Sequence, residues 1–338
     1  MRLPLFIHKY TQYEYWPMLL FYLPVLPYWL YLAFKNKSLA YFTVANPGIE
    51  LGGFFGESKS DILSLINPHY LPQSIEVENL ALTQLTNLLT TKNITYPLIA
   101  KPDVGERGND VCKINNETEL NTYNTHCTGK YIIQEFITYD IELGVLYSRL
   151  PNDSKGVVTS VTLKEFLTVV GNGTSTIKQL MEQSTRARFQ IERLSKTIDL
   201  SVVVPNHQKR ILEPIGNHCR GTRFINANYL ITEQLHAVFN TISLPITGFN
   251  YGRFDLKVKS IPDLYEGNTI KIMELNGASS EPGHIYDAST NNLFTAYADL
   301  LSHWKRLADI SLQQMQRGLK PVPFSVIVKS YLTFFSKN

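Results

Sequence analysis

Two short stretches in the last third of the chain decide the fold: GRFDLKV at residues 252–258 and IKIMELNG at residues 270–277. In an extended strand, alternate side chains share one face. The turn-rich residues 260–268 between the two stretches predict that they pair as antiparallel strands. One face of this pair would then gather two carboxylates, an amide and a guanidinium, those of Asp255, Glu274, Asn276 and Arg253.

This polar face predicts a magnesium site. Carboxylate and amide oxygens suit Mg²⁺, which keeps its other positions for water and phosphate oxygens. Arg253 would supply a forked, permanently charged donor for a phosphoryl group. The alternative is a strand face whose charges are simply solvated, although Asp and Asn are poor strand formers and call for some explanation there.

Two further stretches carry weaker signals. IAKP at residues 99–102, followed by DVGERGND at residues 103–110, places a lysine before a glycine loop, where backbone N–H groups could approach phosphate. A plain strand and turn with an exposed lysine is the alternative. YIIQEFITYDIE at residues 131–142 could enclose an adenine and offer a carboxylate to a ribose. A central strand leading into a loop explains the same residues equally well.

The order of these motifs resembles the ATP-grasp superfamily. The pattern at residues 274–283, Glu-x-Asn followed by Ser-x-Pro-Gly, is similar to that of D-alanine–D-alanine ligases, and VVGNGTSTI at residues 169–177 resembles cyanophycin synthetases. The resemblance covers residues 95 to 300. It implies an α+β, ATP-grasp fold in which two α+β subdomains clasp ATP, with Mg²⁺ or Mn²⁺ as the metal.

The resemblance also implies roles for single residues. Lys101 would hold the ATP phosphates, and the glycine loop would close over them. Arg253 would act catalytically, while Asp255, Glu274 and Asn276 would bind the metal. The full set of predicted nucleotide-binding residues is Lys101, Gly105, Arg107, Gly108, Asn109, Gln134, Glu135, Phe136, Ile137, Glu142 and Lys164.

Substrate residues are predicted in two places. The basic, polar stretch 209–224 could receive a carboxylate or a tetrahedral intermediate, and a loop of solvated charges is the alternative. The residues around Pro282 could face the acceptor, although a lone histidine there can be structural. The predicted set is His218, Arg220, Arg223, Ser280, Gly283 and His284.

The implied activity is an ATP-dependent carboxylate–amine ligase that works through an acyl phosphate and releases ADP and phosphate. Two alternatives stay open: a non-catalytic or membrane-tethered nucleotide-binding protein on the same scaffold, and a ligase with a non-amine acceptor. Residues 1–75 do not resemble the usual substrate domain of the family. The carboxylate and amine, whether small molecules or lipid-linked, are therefore not identified.

Composition limits the class of partner and compartment. The net charge of +3 and the lack of a dense Lys/Arg run argue against nucleic acid. Three cysteines without regular spacing argue against a disulfide framework and for a reducing, cytoplasmic location.

We divide the chain into an aromatic-rich hydrophobic segment (1–75), an ATP-grasp domain (76–320) and an amphipathic tail (321–338). Residues 15–34 carry no charge but contain three prolines and many aromatic residues. They are compatible with packing in the core or a homo-oligomer interface, with peripheral contact at the inner membrane face, or with a true span. The tail would dock on the body or on lipid.

Local patterns also predict a strand at residues 39–44, helices at 59–65 and 79–90, and a single helix at 177–198. A last long helix is predicted at residues 291–317.

Overall fold

The computed structural model describes residues 4–105 and 108–337, with side chains up to Leu332. It confirms the α+β class: the described strands form two main antiparallel sheets and a third, two-stranded one, and helices pack around them. The predicted Arg107 lies outside the described residues.

The described strands form a four-stranded, a five-stranded and a two-stranded sheet. The smaller sheet has the order β1-β4-β2-β3 and the larger sheet the order β11-β10-β5-β6-β9, while β7 pairs with β8. Their bounds are β1 Ser74–Val77, β2 Leu98–Pro102, β3 Cys112–Ile114, β4 Tyr131–Glu135, β5 Ile141–Ser148, β6 Val157–Glu165, β7 Thr168–Val170, β8 Lys209–Ile211, β9 Arg223–Asn226, β10 Tyr251–Val258 and β11 Lys271–Asn276.

The α-helices are short except near the C-terminus. They are α1 Leu5–Thr11, α2 Met18–Tyr22, α3 Leu26–Lys35, α4 Lys59–Ser64, α5 Leu82–Thr91, α6 Glu117–His126, α7 Ile177–Met181, α8 Thr185–Arg188, α9 Ile191–Leu194, α10 Glu233–Ser243, α11 Ile261–Glu266, α12 Leu293–Gln316 and α13 Phe324–Lys337.

The strands β10 and β11 pair antiparallel, as the sequence predicts. Asp255 lies opposite Glu274, and Arg253 lies opposite Asn276. The register shifts after Asp255 and leaves Met273 unpaired in the ladder, which is the signature of a β-bulge. On the other face of β10, Phe254, Leu256 and Val258 are fully buried in the main core. The alternation therefore divides this strand into an apolar side and a polar side.

The N-terminal segment is part of the folded body. Ile62 and Leu63 of α4 pack in the main core beside the large sheet. A second core joins Leu32 of α3, Tyr41 and Ile327 of α13. By length and composition, residues Met18–Lys35 form one helical stretch able to cross a membrane, and 22% of it is buried.

Two local predictions are wrong. Residues Tyr41–Val44 form a 3₁₀ helix instead of a strand, and all four are buried. The stretch 177–198 breaks into α7, α8 and α9, because the side chain of Ser184 caps a new helix within it. In both cases short polar caps or tertiary packing override the local pattern. The turn-rich residues 260–268 join an antiparallel pair as predicted, and they include the short helix α11, which Ser260 caps.

Asn46 ties the N-terminal segment to β10. Its side-chain amide donates to Gly52 O (2.9 Å) and Tyr251 O (2.8 Å), and its Oδ1 accepts from the backbone N–H groups of Asn250 (2.8 Å) and Tyr251 (2.9 Å). The side chain is fully buried, so each bond forms away from water. This one residue therefore fixes the start of β10 against residues 46–52.

We expect Asn46→Ala to lower the free energy of unfolding by about 3 kcal/mol, because it leaves buried backbone groups without partners. Urea unfolding monitored by circular dichroism would measure this. Asn87→Ala, on the exposed side of α5, is the control and should change stability by less than about 0.5 kcal/mol. Equal effects of the two substitutions would contradict the anchoring role.

Candidate active site

A cleft of about 340 Å³ is lined by strands of both main sheets. The small sheet contributes residues of β2 and β4, and the large sheet contributes residues of β5, β6, β10 and β11. All of the predicted nucleotide and metal residues that the structure describes line it, together with Arg253. They are Lys101, Gly105, Gly108, Asn109, Gln134, Glu135, Phe136, Ile137, Glu142, Lys164, Arg253, Asp255, Glu274 and Asn276.

At the centre of the cleft, Lys164 lies between two carboxylates. Its Nζ is 3.3 Å from Glu142 Oε1 and 3.3 Å from Asp255 Oδ1. These residues come from β6, β5 and β10, which are neighbours in the sheet. All three side chains are buried. A charge in such a place requires a partner. Here Glu142 is supplied by the adjacent strand β5, and Asp255 by β10, the next strand beyond it.

The pKa values of this cluster follow from burial and pairing together. Burial would raise the pKa of Asp255, but Arg253 and Lys164 outweigh it and hold that pKa below its ordinary value. Burial would lower the pKa of Lys164, but Asp255 and Glu142 raise it above its ordinary value. At neutral pH Asp255 is therefore an anion and Lys164 a cation.

The predicted metal ligands meet on one side of Asp255. Arg253 Nε donates to Asp255 Oδ1 at 3.0 Å, and Asn276 Nδ2 donates to Asp255 Oδ2 at 3.3 Å. Glu274 lies directly opposite on β11. Among the residues that the structure describes, no group of three His, Cys, Asp or Glu side chains is arranged to hold a metal. Two carboxylates and one amide nevertheless fit Mg²⁺, which takes further oxygens from water and phosphate.

Lys101 links the two sheets across the cleft. It stands on β2 of the small sheet, and its Nζ donates to the carbonyl of Met273, the bulge residue of β11, at 2.8 Å. Burial lowers the pKa of Lys101 to about 8, against an opposing effect of Glu274. It also donates to Gln134 Oε1 at 3.3 Å. Gln134 Nε2 is buried without a hydrogen-bond partner, so it can donate to a bound molecule.

The connection from β4 to β5 forms one wall of the cleft. Phe136 and Ile137 line it, as predicted for an adenine site. Lys257 Nζ donates to the carbonyl of Ile137 at 3.0 Å and lies 3.8 Å from Glu142 Oε2. It also stands 5.2 Å from the centre of the Phe136 ring. Glu142, predicted to bind ribose, thus meets two lysines.

Lys257 is a cleft residue that the sequence analysis missed. It follows Arg253 and Asp255 at the same two-residue spacing on β10, so the alternation that found those two could have found it as well. Burial lowers its pKa, against an opposing effect of Glu142. The buried charged residues lining the cleft are Lys101, Lys164, Lys257, Glu142 and Asp255. When the less buried residues are included, five cations and five anions line it.

The described part of the glycine loop is held by residues from other parts of the chain. Arg220 NH1 donates to the carbonyls of Gly108 (3.0 Å) and Val111 (2.8 Å), and its Nε donates to Glu213 at 2.9 Å. Lys59 donates to the carbonyl of Gly105. Arg220 therefore fixes the loop in this structure, and its substrate role stays a prediction.

A second polar group lies beside Arg253. The Tyr286 hydroxyl is 2.7 Å from Glu281 Oε2, and burial raises the pKa of Glu281 to about 7. Arg253 NH1 donates to the backbone carbonyl of Glu281 at 3.3 Å. The ring of His218, predicted as a substrate residue, is in tilted contact with the ring of Tyr286. Burial lowers the pKa of His218 to about 4. His218 is therefore neutral at physiological pH.

The other predicted substrate residues do not line this cleft. His284 Nδ1 pairs with Ser160 Oγ (2.7 Å) and its Nε2 with Asp299 (3.0 Å), so this buried ring joins β6 to α12. Ser280 Oγ donates to the carbonyl of Asn276, Gly283 packs against Thr162, and Arg223 faces Glu165 and Asp287. These contacts are structural, and the histidine has the structural role that was the alternative for it.

Two glycines make room for the carboxylates. A Cβ atom at Gly216 would lie 1.9 Å from Glu142 Oε1, and one at Gly144 would lie 3.2 Å from Asp255 Oδ1. Neither glycine has the positive φ that favours this residue, so space alone explains them. The cleft is thus shaped around the positions of these two side chains.

No family model and no curated protein matches the chain. Among solved structures, it is similar to a D-alanine–D-alanine ligase from Bacillus anthracis, at 15% identity and a TM-score of 0.42 over 77% of this chain and 67% of that one. It is also similar to the VanG D-Ala:D-Ser ligase from Enterococcus faecalis, at 14% identity and a TM-score of 0.42 over 73% of this chain and 61% of that one. A bifunctional glutathione synthetase from Pasteurella multocida matches at 12% identity and a TM-score of 0.34, over 70% of this chain and 36% of that one. Similarity at this level does not establish an activity.

We expect Lys164→Met to lower the free energy of unfolding by about 3–5 kcal/mol at pH 8, because it leaves two carboxylates buried without their shared cation. Removal of Lys164 would raise the pKa of Asp255, because this lysine together with Arg253 holds it below its ordinary value. Since a group with a raised pKa loses its stabilising contribution as pH rises through that value, the loss should be smaller at pH 5. Urea unfolding at the two pH values would measure both effects.

The control for this substitution is Lys305→Met, which removes an exposed ion pair with Asp309 on α12. It should cost less than about 1 kcal/mol at either pH. A loss for Lys164→Met as small as this, or independent of pH, would contradict the central position of that lysine.

Glu281 gives a second pH prediction. Its folded pKa, about 7, lies above the unfolded value, so its protonated form stabilises the fold below pH 4.5 and this contribution is lost as pH rises towards 7. Glu281→Gln removes that loss. We expect the variant to be more stable than the wild type by about 2 kcal/mol at pH 8 and about equal to it at pH 4.5.

Unfolding curves from pH 4.5 to 8 would measure this difference, and Glu192→Gln on the surface provides the control. A constant difference between Glu281→Gln and wild type over this range would disprove the raised pKa.

Proposed function

We propose that this chain is an ATP-grasp enzyme that uses ATP to join a carboxylate to an amine. The observation that carries the proposal is the meeting of Lys101 from one sheet with Lys164, Arg253, Asp255 and Glu274 from the other in a single cleft. Three buried lysines of the cleft, Lys101, Lys164 and Lys257, offer charged donors to an anionic ligand such as a triphosphate. The order of the sequence motifs and the two-sheet cleft support the same family.

The nucleotide would lie between the two sheets. Lys101 and Lys164 would contact its phosphates, and the glycine loop would cover them. The wall formed by Phe136 and Ile137 would take the base, and the unpartnered amide of Gln134 offers it a hydrogen bond.

Asp255, Glu274 and Asn276 would hold Mg²⁺, which when bound offsets the negative charge of the phosphates. Arg253, next to Asp255, would donate to the oxygens of the transferring phosphoryl group. Its guanidinium is already oriented by two hydrogen bonds to Asp255, at 3.0 and 3.3 Å. A donor fixed before the reaction needs no reorganisation while charge develops.

The reaction would run in two steps. A carboxylate oxygen attacks the γ-phosphorus, the bond to the bridging oxygen breaks, and ADP leaves with that electron pair. The resulting acyl phosphate is attacked by the amine, the C–O bond breaks, and inorganic phosphate leaves as the amide forms. The amine gives up one proton as the amide forms.

We expect Arg253→Met and Glu274→Gln each to lower kcat by at least about 100-fold, because each removes an interaction with the charge that develops on the phosphoryl group. Glu165→Gln, at an exposed carboxylate, is the control. Phosphate release, measured over a panel of amino acids and acyl substrates, would test this, and mass analysis of the product would identify the acceptor.

Undiminished ADP release in Glu274→Gln would remove the metal assignment. A purified chain that neither binds ATP nor responds to magnesium would disprove the proposal as a whole. A product of unexpected mass would instead indicate a non-amine acceptor.

A further inference from the structure

The helical stretch Met18–Lys35 is apolar on two opposite sides. One side is buried against the body and includes Phe21, Val25 and Leu32. The opposite side follows a spacing of three or four residues, which places its members in one stripe on the helix surface. This stripe is exposed and consists of Leu19, Leu23, Leu26, Leu30 and Phe34.

The exposure of this stripe is extensive. Leu19 is 76% exposed and Phe34 is 83% exposed. A helix that is apolar all round is normally buried in protein or lipid, because apolar surface in water is unfavourable. The rest of the described chain covers only one side of this helix. The apolar side chains on the opposite side are exposed and could be buried only by a binding partner.

Helix α13 extends the same apolar region. Ile327 packs in the core that also contains Leu32 and Ala33 of α3, so the two helices share one support. Within the described part of α13, Ile327 is the buried side chain, and the large apolar side chains around it are exposed. We call the exposed stripe and these residues the terminal face. The α13 members are Phe324, Val326, Val328, Tyr331 and Leu332.

Charge is distributed unevenly along the chain. Residues 1–49 have four Lys/Arg and one Glu, and residues 310–338 have four Lys/Arg and no acidic residue. Because the whole chain has a net charge of +3, residues 50–309 are net negative by four. The single acid, Glu14, pairs with Arg186 of the body. The segments that carry the terminal face therefore hold the basic excess of the molecule.

The exposed apolar surface and the basic excess together match an anionic lipid surface. Apolar side chains enter the boundary between headgroups and acyl chains, while lysines meet lipid phosphates. Aromatic residues such as Tyr10 and Tyr31, both exposed, are typical of this boundary. A second copy of the chain fits less well, because a symmetric contact would bring two basic faces together.

The structure also favours contact with one face of the bilayer over a span. The stretch is not one continuous α-helix: residues Leu23–Val25, which include Pro24, form a 3₁₀ helix between α2 and α3. Its buried side is fixed by Phe21, whose ring contacts Tyr286 and Tyr297 of the body at 5.7 and 5.2 Å. Lifting the stretch into a bilayer would break these contacts and expose the core beneath.

We propose that the terminal face binds peripherally to a bilayer that contains anionic lipid. The apolar stripe of α2 and α3 enters the interface, and α13 adds a second apolar contact beside it. The proposal does not depend on the enzymatic activity, since it rests only on the surface.

Vesicle flotation of the full chain would test this, with vesicles of phosphatidylcholine alone and of an equimolar mixture of phosphatidylcholine and phosphatidylglycerol. We expect the protein to float with the mixture and to float less at about 1 M salt. The triple variant Leu19→Ser, Leu30→Ser and Phe34→Ser should bind at least about tenfold more weakly. Tyr229→Ser, at a side chain 75% exposed that belongs to neither terminal segment, is the control and should bind like wild type.

Circular dichroism and the unfolding midpoint would show that the triple variant is folded. If it is not, the charge reversals Lys9→Glu and Lys37→Glu on the exposed surface should weaken flotation with the anionic vesicles. Wild-type protein that binds neither kind of vesicle would overturn the proposal. A folded triple variant that floats like wild type would overturn it as well. A wild-type dimer that the triple variant converts to a monomer, without flotation of either, would assign the face to self-association instead. Equal binding to both vesicles would overturn the requirement for anionic lipid.

Discussion

The compensation of buried charge around Lys164 is the constraint on which the rest of the cleft depends. Glu142, Lys164 and Asp255 stand on three neighbouring strands, and each would be strongly unfavourable in this place without the others. The order β10-β5-β6 is therefore a chemical requirement as well as a topological one. Gly144 and Gly216 contribute by being small, because a Cβ atom at either position would press on one of the two carboxylates.

The same network explains why the two sheets face one another. The bulge in β11 leaves Met273 outside the register, and its carbonyl receives the ammonium group of Lys101 from the opposite sheet. Lys257 plays a comparable part at the connection between the sheets, where it contacts the carbonyl of Ile137. Both lysines are buried, and burial lowers the pKa of each. An anionic group placed beside either lysine would oppose this effect of burial.

The sequence predicted the parts of this arrangement that depend on local alternation. Arg253, Asp255 and the pairing of β10 with β11 follow from a two-residue period and a turn. Lys257 satisfies the same period and could have been included. What could not be predicted depends on distant residues: Arg220 meets the carbonyl of Gly108, which is 112 residues away, and His284 meets Ser160, which is 124 residues away. A periodic pattern within one segment carries no information on such distant contacts. The sequence therefore could not show that Arg220 holds the described part of the glycine loop or that His284 joins β6 to α12.

The N-terminal segment shows how far these non-local contacts extend. Tyr13 donates to the carbonyl of Ile285 at 3.0 Å, and Phe21 contacts the ring of Tyr286. Tyr286 in turn bonds to Glu281, whose backbone carbonyl accepts from Arg253. A continuous series of contacts thus joins the terminal face to the guanidinium of the cleft. Phe21 is held by the body on one side of the helix, while Leu19 and Leu23 project on the other. The helix that carries the terminal face and the cleft are therefore connected through the contacts of Tyr286 and Glu281.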